Sequence, residues 1–528
     1  MRFCHFLRAF VLFVCLPIVA VAQDSTAKVD EPNRNGDKSA QSREQPAEES
    51  AGAGRRSRNG VLALLPPDSV TEHVLEIDSR KLAYQATAGT LKLFAQEGEQ
   101  SAAIFYTSYV VKGEPGDRPL TFVFNGGPGA ASAFLHLGLV GPKILDFGPT
   151  ERDGANAKLI DNPQSWLDFT DLVLIDPIGT GWSRTAKAED AQKFYGVKQD
   201  AQAIAKTIAL YLSHTGRVSS PKYLLGESYG GLRAVKVARA LQQDQGVIAS
   251  GIVMLSPLLE APLQFGASRF ALGAALQLPS LAAAELERRN AFSIKEIQAA
   301  EHFALNDFLT TLAGPPLEGA TADSFYARVA QLTGLPIEVV RKTRGFVRDA
   351  FVKHLRQRES AVVSPYDVTF AASDPYPESD SARGDDPILD GFVRAYGGAF
   401  ASYARDQLGF KTEMTYALLA DGVNGKWDWG NGHGSRAQVS ASDDIRELLT
   451  LNPSFRVMVA HGYSDLITPY AINKYVIDHL PEKIGNRVTL KIYRGGHMLY
   501  TKPSSRIEFT TDAKTFYGVR AFEASPKD

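Results

Sequence analysis

The stretch that decides the fold is Tyr223-Leu224-Leu225-Gly226-Glu227-Ser228-Tyr229-Gly230, a short apolar run followed by a serine between two glycines. It matches the pattern Gly-x-Ser-x-Gly, and apolar residues at helical spacing follow it from Leu232 to Leu241. A strand that turns sharply into a helix lifts a serine hydroxyl out of a sheet, and the flanking glycines let neighbouring backbone pass without a clash. The stretch therefore predicts a strand, a tight turn that exposes Ser228, and a helix. The alternative is a glycine-rich turn that serves packing alone.

Other short apolar runs predict the sheet to which this strand belongs. They are Leu120–Phe124, Leu172–Ile175, Ile252–Leu255 and Val457–Val459. Uninterrupted apolar runs of this length are typical of strands buried on both faces of a mainly parallel sheet. Helical spacing lies between them, for example from Val197 to Leu212, and this alternation indicates an α/β fold. Alternating runs from Val74 to Val111 predict antiparallel strands ahead of the parallel ones.

The alternation of strands and helices stops between about residues 262 and 431. Apolar residues at helical spacing occur there over 297–312 and 339–351, and the segment 360–386 is rich in Pro, Ser and Asp. That composition predicts a loop over 360–386. The parallel-strand pattern resumes at Arg456, so we expect a mostly helical insertion, a cap, above the sheet.

The N-terminus has the pattern of a secretory signal. Arg2 and Arg8 precede an apolar run over 9–21, which ends in Ala20-Val21-Ala22. We expect residues 1–22 to be a cleaved signal peptide, so that the protein is exported to the periplasm or secreted. The apolar run is shorter than the ~20 residues that span a bilayer, so no stable membrane insertion is expected after cleavage. Residues 23–59 lack large apolar side chains and predict a disordered linker before a catalytic domain over 60–528.

The composition narrows the class of protein. Of the 528 residues, 44% are hydrophobic and 22% are charged, as in a globular protein with a large core. The formal net charge of −2 argues against binding to nucleic acid, which usually requires a basic excess. Two cysteines exclude a disulfide scaffold and a Cys-rich metal site.

A serine becomes a useful nucleophile only when an oriented base removes its proton. In folds that carry this serine turn, the chain order is Ser, then Asp or Glu, then His. Asp465 follows the apolar strand that ends at Ala460, and His497 follows a strand predicted over 488–493. Loops after parallel strands meet at one edge of the sheet, so Ser228, Asp465 and His497 are the candidate catalytic residues.

Other side chains compete for these roles. His461 precedes the acid and His479 lies in a helical pattern, whereas Asp421 and Asp478 do not follow a buried strand. A metal site that uses His461 and Asp465 lacks a third ligand at usable spacing, so we expect no metal, and no cofactor is implied.

An oxyanion hole needs backbone N–H groups that point at the oxygen that becomes negative. One donor is expected to be Tyr229, which follows the nucleophile. The other is expected from the loop Asn125-Gly126-Gly127-Pro128-Gly129, directly after a predicted strand. A phosphate-binding loop is excluded because no Gly-Lys-Ser/Thr follows.

The motifs together resemble those of the serine carboxypeptidase family, in order and in context. They are Asn125–Gly129, Asp176–Ser183, Gly226–Gly230, Asp465 and Gly496-His497-Met498. The resemblance implies an α/β-hydrolase fold that releases C-terminal residues from peptides through an acyl-enzyme. It implies that Ser228 is the nucleophile, His497 the base and Asp465 its partner, with oxyanion donors at Gly127 and Tyr229. Asn125, Gly126 and Glu227 match the positions that bind the terminal carboxylate of the peptide.

One departure from the family keeps other functions open. Leu139 stands where the family usually carries a second acid beside this carboxylate site, and the family's usual disulfides are absent. A secreted esterase or acyltransferase with the same Ser-Asp-His triad is therefore the main alternative, and a catalytically silent binding protein is another. Trp427, Trp429 and Tyr416 are predicted to be aromatic core or, alternatively, to line a subsite. The sequence leaves side-chain preference and oligomeric state open.

Overall fold

The computed structural model describes residues 60–77, 79–113, 118–430 and 435–518. The predicted signal peptide, residues 1–22, and the predicted linker, residues 23–59, lie outside the described residues. Among those that are described, no helix has both the length and the apolar character needed to cross a membrane.

Fourteen strands occur in the described part of the chain. In chain order they are β1 Ser69–Ile77, β2 Arg80–Phe94, β3 Gln100–Val111, β4 Leu120–Phe124, β5 Lys143–Asp146, β6 Lys158–Asp161, β7 Asp171–Ile175, β8 Arg184–Thr185, β9 Lys222–Glu227, β10 Gly251–Leu255, β11 Ala361–Ser364, β12 Asp367–Ser373, β13 Arg456–Gly462 and β14 Val488–Tyr493.

Nine of these strands form the central sheet in the order β1-β2-β3-β7-β4-β9-β10-β13-β14, and β8 pairs with β3. The six strands from β7 to β14 in this order are parallel to one another. The strands β1, β2 and β3 add antiparallel at one edge. The expected mainly parallel sheet with antiparallel strands ahead of it is confirmed, and this is an α/β-hydrolase arrangement.

Seventeen α-helices accompany the strands in the described ranges. They are α1 Ala133–Leu135, α2 Val197–Thr215, α3 Tyr229–Gln245, α4 Ala261–Phe265, α5 Ala271–Ala275, α6 Leu278–Arg288, α7 Ile294–Phe303, α8 Leu309–Ala313, α9 Gly319–Thr333, α10 Ile337–Lys342, α11 Arg348–His354, α12 Ala395–Asp406, α13 Asp421–Asn424, α14 Ser442–Leu451, α15 Tyr470–Asp478, α16 Glu482–Gly485 and α17 Pro503–Phe516.

Shorter helical turns complete the picture. The 3-10 turns are Gly60–Leu64, Trp166–Asp168, Ala188–Phe194, Gln357–Glu359, Phe392–Arg394, Arg436–Gln438 and Leu499–Thr501. The π-helical turns are His136–Val140, Ala304–Phe308 and Pro387–Gly391.

Strand β4 shows why the parallel strands read as unbroken apolar runs. Every residue of β4 is buried, because both faces of the sheet are covered. Phe122 and Phe124 pack into the apolar cluster that holds α2 and α3. Val123, whose side chain points to the opposite face, packs into the cluster that holds α12 and α17. The sheet therefore lies between two helical layers, and its carboxyl edge stays open for loops.

The chain between β10 and β13 is mostly helical, from α4 to α13. The loop predicted over 360–386 is wrong in part, because β11 and β12 form an antiparallel hairpin there. Val363 and Val368 on this hairpin pack into an apolar cluster with the helices of the insertion. Because the segment is rich in Pro, Ser and Asp, its two short apolar runs did not stand out as strands in the sequence. The limits of the insertion as a domain stay a prediction.

Candidate active site

Ser228 occupies the turn between β9 and α3, as the sequence predicts. Its backbone has φ +62° and ψ −126°, a conformation that a residue with a side chain adopts only when its surroundings enforce it. The Ser228 N–H donates to the Leu255 carbonyl at 2.9 Å. The Ser228 carbonyl accepts from the N–H groups of Gly231, at 2.9 Å, and Leu258, at 3.1 Å. The end of the neighbouring strand β10 thus holds the strained turn in place.

The two glycines that flank the serine are required by close backbone approaches. A Cβ on Gly226 would lie 1.9 Å from the Gly230 carbonyl oxygen, and a Cβ on Gly230 would lie 2.8 Å from the Phe124 carbonyl oxygen. Either side chain would push the helix away from the strand. The packing interpretation of this motif therefore accounts for the glycines, but it does not account for the strained serine between them.

Asp465 and His497 meet in the loops that follow β13 and β14. The imidazole Nδ1 of His497 lies 2.9 Å from Asp465 Oδ2. The other carboxylate oxygen, Oδ1, accepts from the N–H groups of Ile467, at 2.8 Å, and Thr468, at 3.0 Å. Because both side chains are almost fully buried, this pair orients the ring and leaves its Nε2 for another partner.

Three residues that the sequence analysis missed hold the imidazole. The Thr468 hydroxyl donates to Asp465 Oδ2 at 2.7 Å and lies 3.1 Å from His497 Nδ1. Tyr366, on the turn between β11 and β12, accepts the His497 backbone N–H at 2.6 Å. Ser256 donates its hydroxyl to the His497 carbonyl at 2.9 Å. Only Thr468 carried a signal, an Asp-x-x-Thr turn, because the other two come from distant segments.

The charges of this pair depend on each other. Burial alone would raise the pKa of Asp465. The charge and hydrogen bond of His497 and the hydrogen bond from the Thr468 N–H together lower it by more, so the net shift is downward. Burial lowers the pKa of His497, but the charge and hydrogen bond of Asp465 and the charge of Glu227 outweigh it, so the net shift is upward. Asp465 is therefore held as an anion that stabilises a proton on the imidazole.

Ser228 and His497 line one cavity of about 440 Å³. Asn125, Gly126, Gly127 and Glu227 are also part of its wall. Asp465 and Tyr229 are buried behind the wall, at 0% and 1% exposure. The structure therefore places all eight sequence-predicted residues in or directly behind a single cavity at the carboxyl edge of the sheet.

Gly127 and Tyr229 are the two residues predicted to donate N–H groups to an oxyanion hole. Gly127 has φ +98°, a value that favours glycine, and it sits where the loop after β4 turns beside Ser228. Tyr229 is the first residue of α3, where a backbone N–H has no partner within the helix. In the described ranges, neither N–H donates to another protein atom. Both groups remain as donors for a ligand.

The wall opposite the imidazole carries a buried pair, Asn125 and Glu227. The Asn125 amide nitrogen donates to Glu227 Oε2, and the Tyr500 hydroxyl donates to the same oxygen at 3.2 Å. The amide oxygen of Asn125 accepts the Leu135 N–H at 3.1 Å, so its orientation is fixed. Within the described residues, Glu227 Oε1 is buried without a hydrogen-bond partner. That oxygen is available to a group in the cavity.

Glu227 is set up to hold a proton near neutral pH. Burial raises its pKa to about 7, and the charge of His497 and the hydrogen bonds from Tyr500 and Asn125 oppose the shift only in part. A protonated carboxyl donates one hydrogen bond, and its natural partner is a carboxylate. The Asn125–Glu227 pair can therefore bind a carboxylate that enters the cavity.

Leu139 leaves this pair without a second acid. It is fully buried in the π-helical turn His136–Val140 and packs into the main apolar cluster. It is not part of the cavity wall. The structure therefore agrees with the sequence that a buried leucine replaces the second acid that the family usually carries beside this pair.

The competing residues have other partners. His461 is buried with Nε2 2.8 Å from the Asn473 amide nitrogen, and burial lowers its pKa to about 4. The ring of His479 lies exposed, with Nδ1 2.7 Å from the Tyr475 carbonyl oxygen. Trp427 and Trp429 pack edge-on against Tyr229 and are not part of the wall, whereas Asp421 is.

The serine turn lies in a segment that matches a known family. Residues 81–254, which run from β2 to β10, match the model of the serine carboxypeptidase family. This part of the chain is therefore similar to serine carboxypeptidases. Asp465 and His497 lie outside the matched residues, and only the structure brings His497 to the same cavity as Ser228.

Curated relatives match between a quarter and a third of the chain. Serine carboxypeptidase-like 44 of Arabidopsis thaliana is 28% identical over 153 residues, 29% of this chain and 30% of that protein. Serine carboxypeptidase-like 13 of the same plant is 30% identical over 25% of this chain and 31% of that protein. The vacuolar serine-type carboxypeptidase ATG42 of Saccharomyces cerevisiae is 27% identical over 31% of each chain. The match thus spans under a third of the length of these relatives.

Solved structures resemble the chain only distantly. VinJ is 15% identical with a TM-score of 0.35, over 82% of this chain and 98% of that one. A carboxyl esterase from Bacillus coagulans is 13% identical with a TM-score of 0.36, over 82% of this chain and 98% of that one. The fold assignment rests on strand order and on the serine turn.

Proposed function

We propose that this chain is a serine carboxypeptidase, which releases C-terminal residues from peptides through an acyl-enzyme. One observation carries the proposal. A single cavity is bounded by a serine on a strained turn, by an imidazole paired with a buried carboxylate, and by the buried Asn125–Glu227 pair. The first two features suit acyl transfer, and the third suits a substrate with a free carboxylate.

Acylation follows from the positions of the reacting groups. As Ser228 Oγ bonds to the carbonyl carbon of the last peptide bond, His497 Nε2 takes the hydroxyl proton. The carbonyl oxygen becomes negative and accepts from the N–H groups of Gly127 and Tyr229. When the C–N bond breaks, the leaving amine takes the proton from His497. The C-terminal amino acid departs, and the shortened peptide stays on Ser228 as an ester.

Deacylation repeats the same steps with water. His497 removes a proton from a water molecule as its oxygen bonds to the ester carbon, and the same N–H groups stabilise the oxyanion. When the ester bond breaks, the proton passes from His497 to Ser228 Oγ. The shortened peptide leaves with a new carboxylate, and the enzyme returns to its starting state.

The carboxylate of the substrate also favours the active protonation state. With one proton between them, Glu227 and His497 are either both neutral or both charged. A substrate carboxylate beside Glu227 repels the ionised form, so the proton moves to Glu227 and His497 becomes the neutral base that the reaction needs. Binding of the correct substrate thus prepares the catalytic base.

A pair of blocked dipeptides tests the proposal. The N-acylated dipeptide with a free carboxylate should be hydrolysed with a kcat/KM at least about tenfold above that of its C-terminal amide, the lower range for a charge-assisted hydrogen bond. Ser228→Ala should hydrolyse neither and should take up no fluorophosphonate label. A folded wild-type protein that takes no label on Ser228 contradicts any serine hydrolase function and supports a silent binding protein.

Leu139 favours one alternative, an esterase or acyltransferase that uses the same triad. The family usually pairs a second acid with the residue at the position of Glu227. Here a leucine, Leu139, stands in place of that acid and is buried in the core, so Glu227 lacks this second acid. An enzyme of that kind would hydrolyse a C-terminal ester or amide as fast as the free acid. Equal rates on the two dipeptides, with normal labelling of Ser228, would support this alternative over a carboxypeptidase.

We also propose that the protein is exported, on the pattern of residues 1–22. The two cysteines, Cys4 and Cys15, lie in that segment, so the mature chain would contain none. Expression in a bacterial host and N-terminal sequencing of the exported fraction should give a chain that begins at Gln23. Recovery of the intact Met1 terminus from the cytoplasm alone would contradict export.

A further inference from the structure

Arg436 brings a positive charge to the same cavity. It begins the 3-10 turn Arg436–Gln438 and is part of the wall that also holds Ser228 and His497. Its guanidinium lies 5.0 Å from the ring centre of Phe265 and 5.4 Å from that of Trp429. Contact with two aromatic faces fixes the position of a long side chain, while its N–H donors remain free.

Arg436 differs from the other arginine of the wall, Arg394. Arg394 forms an ion pair with Asp390 one helical turn earlier. In the part of the chain that the structure describes, Arg436 makes no ion pair and no side-chain hydrogen bond. Burial lowers the pKa of Arg436, and no carboxylate of the described residues is among the groups that oppose this shift. Among the described residues, the guanidinium therefore has no anion of its own.

The neighbours of Arg436 place it away from the Asn125–Glu227 pair. Its guanidinium contacts Phe265 and Trp429 and lies close enough to Tyr366 to be influenced by it electrostatically. The edge of the Tyr366 ring packs on His497 with 5.5 Å between the ring centres. With the terminal carboxylate of a peptide at Glu227, the residue to be released lies between Glu227 and Ser228. Arg436 then faces the acyl part of the peptide.

Two exposed acids, Asp385 and Asp421, are also part of the wall and act against an anionic ligand. Solvent screens exposed charges over a Debye length of about 8 Å at physiological ionic strength. A carboxylate that binds the guanidinium directly forms two parallel hydrogen bonds, which outweigh a screened repulsion.

From this arrangement we propose that Arg436 forms an acyl-side subsite that binds an acidic side chain, Glu or Asp, on the residue before the one released. The proposal rests on the proposed carboxypeptidase function and adds a substrate class to it. Arg436 acts by binding the substrate, so its effect should appear in kcat/KM for acidic peptides and not in the labelling of Ser228.

The test compares two N-acylated dipeptides that differ only in Glu or Gln at the first position. Wild type should prefer Glu by roughly five- to tenfold in kcat/KM, as expected for one partly exposed, charge-assisted pair. Arg436→Gln should bring the ratio close to one, and Arg436→Lys should keep part of the preference. Arg405→Gln, on an exposed arginine that pairs with Asp406 outside the cavity wall, is the matched control and should leave the ratio unchanged.

The outcomes separate this proposal from the proposed function. If wild type hydrolyses both dipeptides with a ratio near one, or prefers a Lys dipeptide over Gln, the subsite is wrong and the carboxypeptidase proposal stands. If wild type hydrolyses neither dipeptide but labels at Ser228, the carboxypeptidase proposal itself fails. Fluorophosphonate labelling and the thermal unfolding midpoint of each Arg436 variant show that it is folded.

Discussion

The two buried carboxyl groups of the site, Asp465 behind the cavity wall and Glu227 on it, have the same chemistry but different hydrogen-bond partners. Asp465 accepts hydrogen bonds on both oxygens, from two N–H groups, a hydroxyl and an imidazole. Glu227 accepts on one oxygen only, and its Oε1 has no partner among the described residues. The donors decide the outcome, because each of them stabilises the anion against the cost of burial.

The difference assigns the two roles. The pKa of Asp465 is lowered, so this group is an anion that orients His497, whereas the pKa of Glu227 is raised to about 7, so this group can hold a proton for a ligand. Pairs of carboxyls whose surroundings separate their pKa values often divide acid and base work in this way. The predictions below change the nucleophile, Asp465 with its neighbours, or Glu227.

The largest effect should follow the loss of the proposed nucleophile, Ser228. Ser228→Ala should lower kcat by roughly 10⁴-fold or more, as in other triads from which one member is removed. The variant should still bind a dipeptide with a free carboxylate, because Asn125 and Glu227 are intact, and equilibrium binding can check this. Hydrolysis at more than a tenth of the wild-type rate would show that Ser228 is not the nucleophile.

Asp465→Asn disturbs only the end of the cavity that holds His497. An amide accepts hydrogen bonds less well than a carboxylate and lets the imidazole adopt the wrong tautomer, so kcat should fall by about 10³- to 10⁴-fold. Asp478→Asn, on the exposed acid that pairs with Lys474, is the matched control and should keep wild-type kcat. Equal activity of the two variants would remove Asp465 from the proposed triad.

Much of this end of the cavity could be predicted from the sequence. Gly226–Gly230 carries a local pattern with a mechanical reason, and the loops after β13 and β14 each offered one clear candidate. Parallel strands bring such loops together whatever their distance along the chain. Tyr366 could not be predicted, because its backbone contact with His497 depends on how the β11–β12 hairpin packs in the insertion.

The other end of the cavity shows where sequence reasoning stops. The resemblance predicts the roles of Asn125 and Glu227. That Glu227 Oε1 and the Arg436 guanidinium have no hydrogen-bond or ion-pair partner among the described residues depends on packing. The prediction of a loop from the composition of residues 360–386 was also wrong around Val363, where the structure has a hairpin. Contacts between distant segments decide these details, and a single sequence does not encode them as a local pattern.

Glu227→Ala should disturb only the end that binds the substrate carboxylate. We expect kcat/KM for the free-acid dipeptide to fall by about 10- to 100-fold, the range for a lost charge-assisted hydrogen bond, with little change for the C-terminal amide. Glu227→Gln keeps a neutral donor in place and should lose less. Equal losses on the acid and the amide would indicate a structural role for Glu227.

The pH dependence of the two substrates should diverge for the same reason. Because the pKa of Glu227 is raised to about 7, its proton is present below pH 7 and is lost as the pH rises through that value. The kcat/KM for the free acid should therefore fall about tenfold per pH unit above 7, whereas the C-terminal amide should show no such fall. An alkaline optimum for the free acid would contradict the shared proton, and Glu227→Gln should remove the divergence.

Thr468→Val should give the smallest effect and should refine the account of the histidine end. The hydroxyl lies 2.7 Å from Asp465 Oδ2 and 2.9 Å from the Ser256 carbonyl oxygen, and it has one proton for these two acceptors. Valine removes this hydroxyl, one of the four groups that can donate to Asp465, with little change in the size of the side chain. The pKa of Asp465 should remain low, because His497 and two N–H groups remain, and kcat should fall by roughly three- to tenfold, as for one hydrogen bond of about 1 kcal/mol. The acid limb of the kcat profile, which reports the protonation of His497, should shift with it, whereas the ratio between the acid and amide dipeptides should not. A change in that ratio would mean that Thr468 also acts on the binding of the substrate carboxylate.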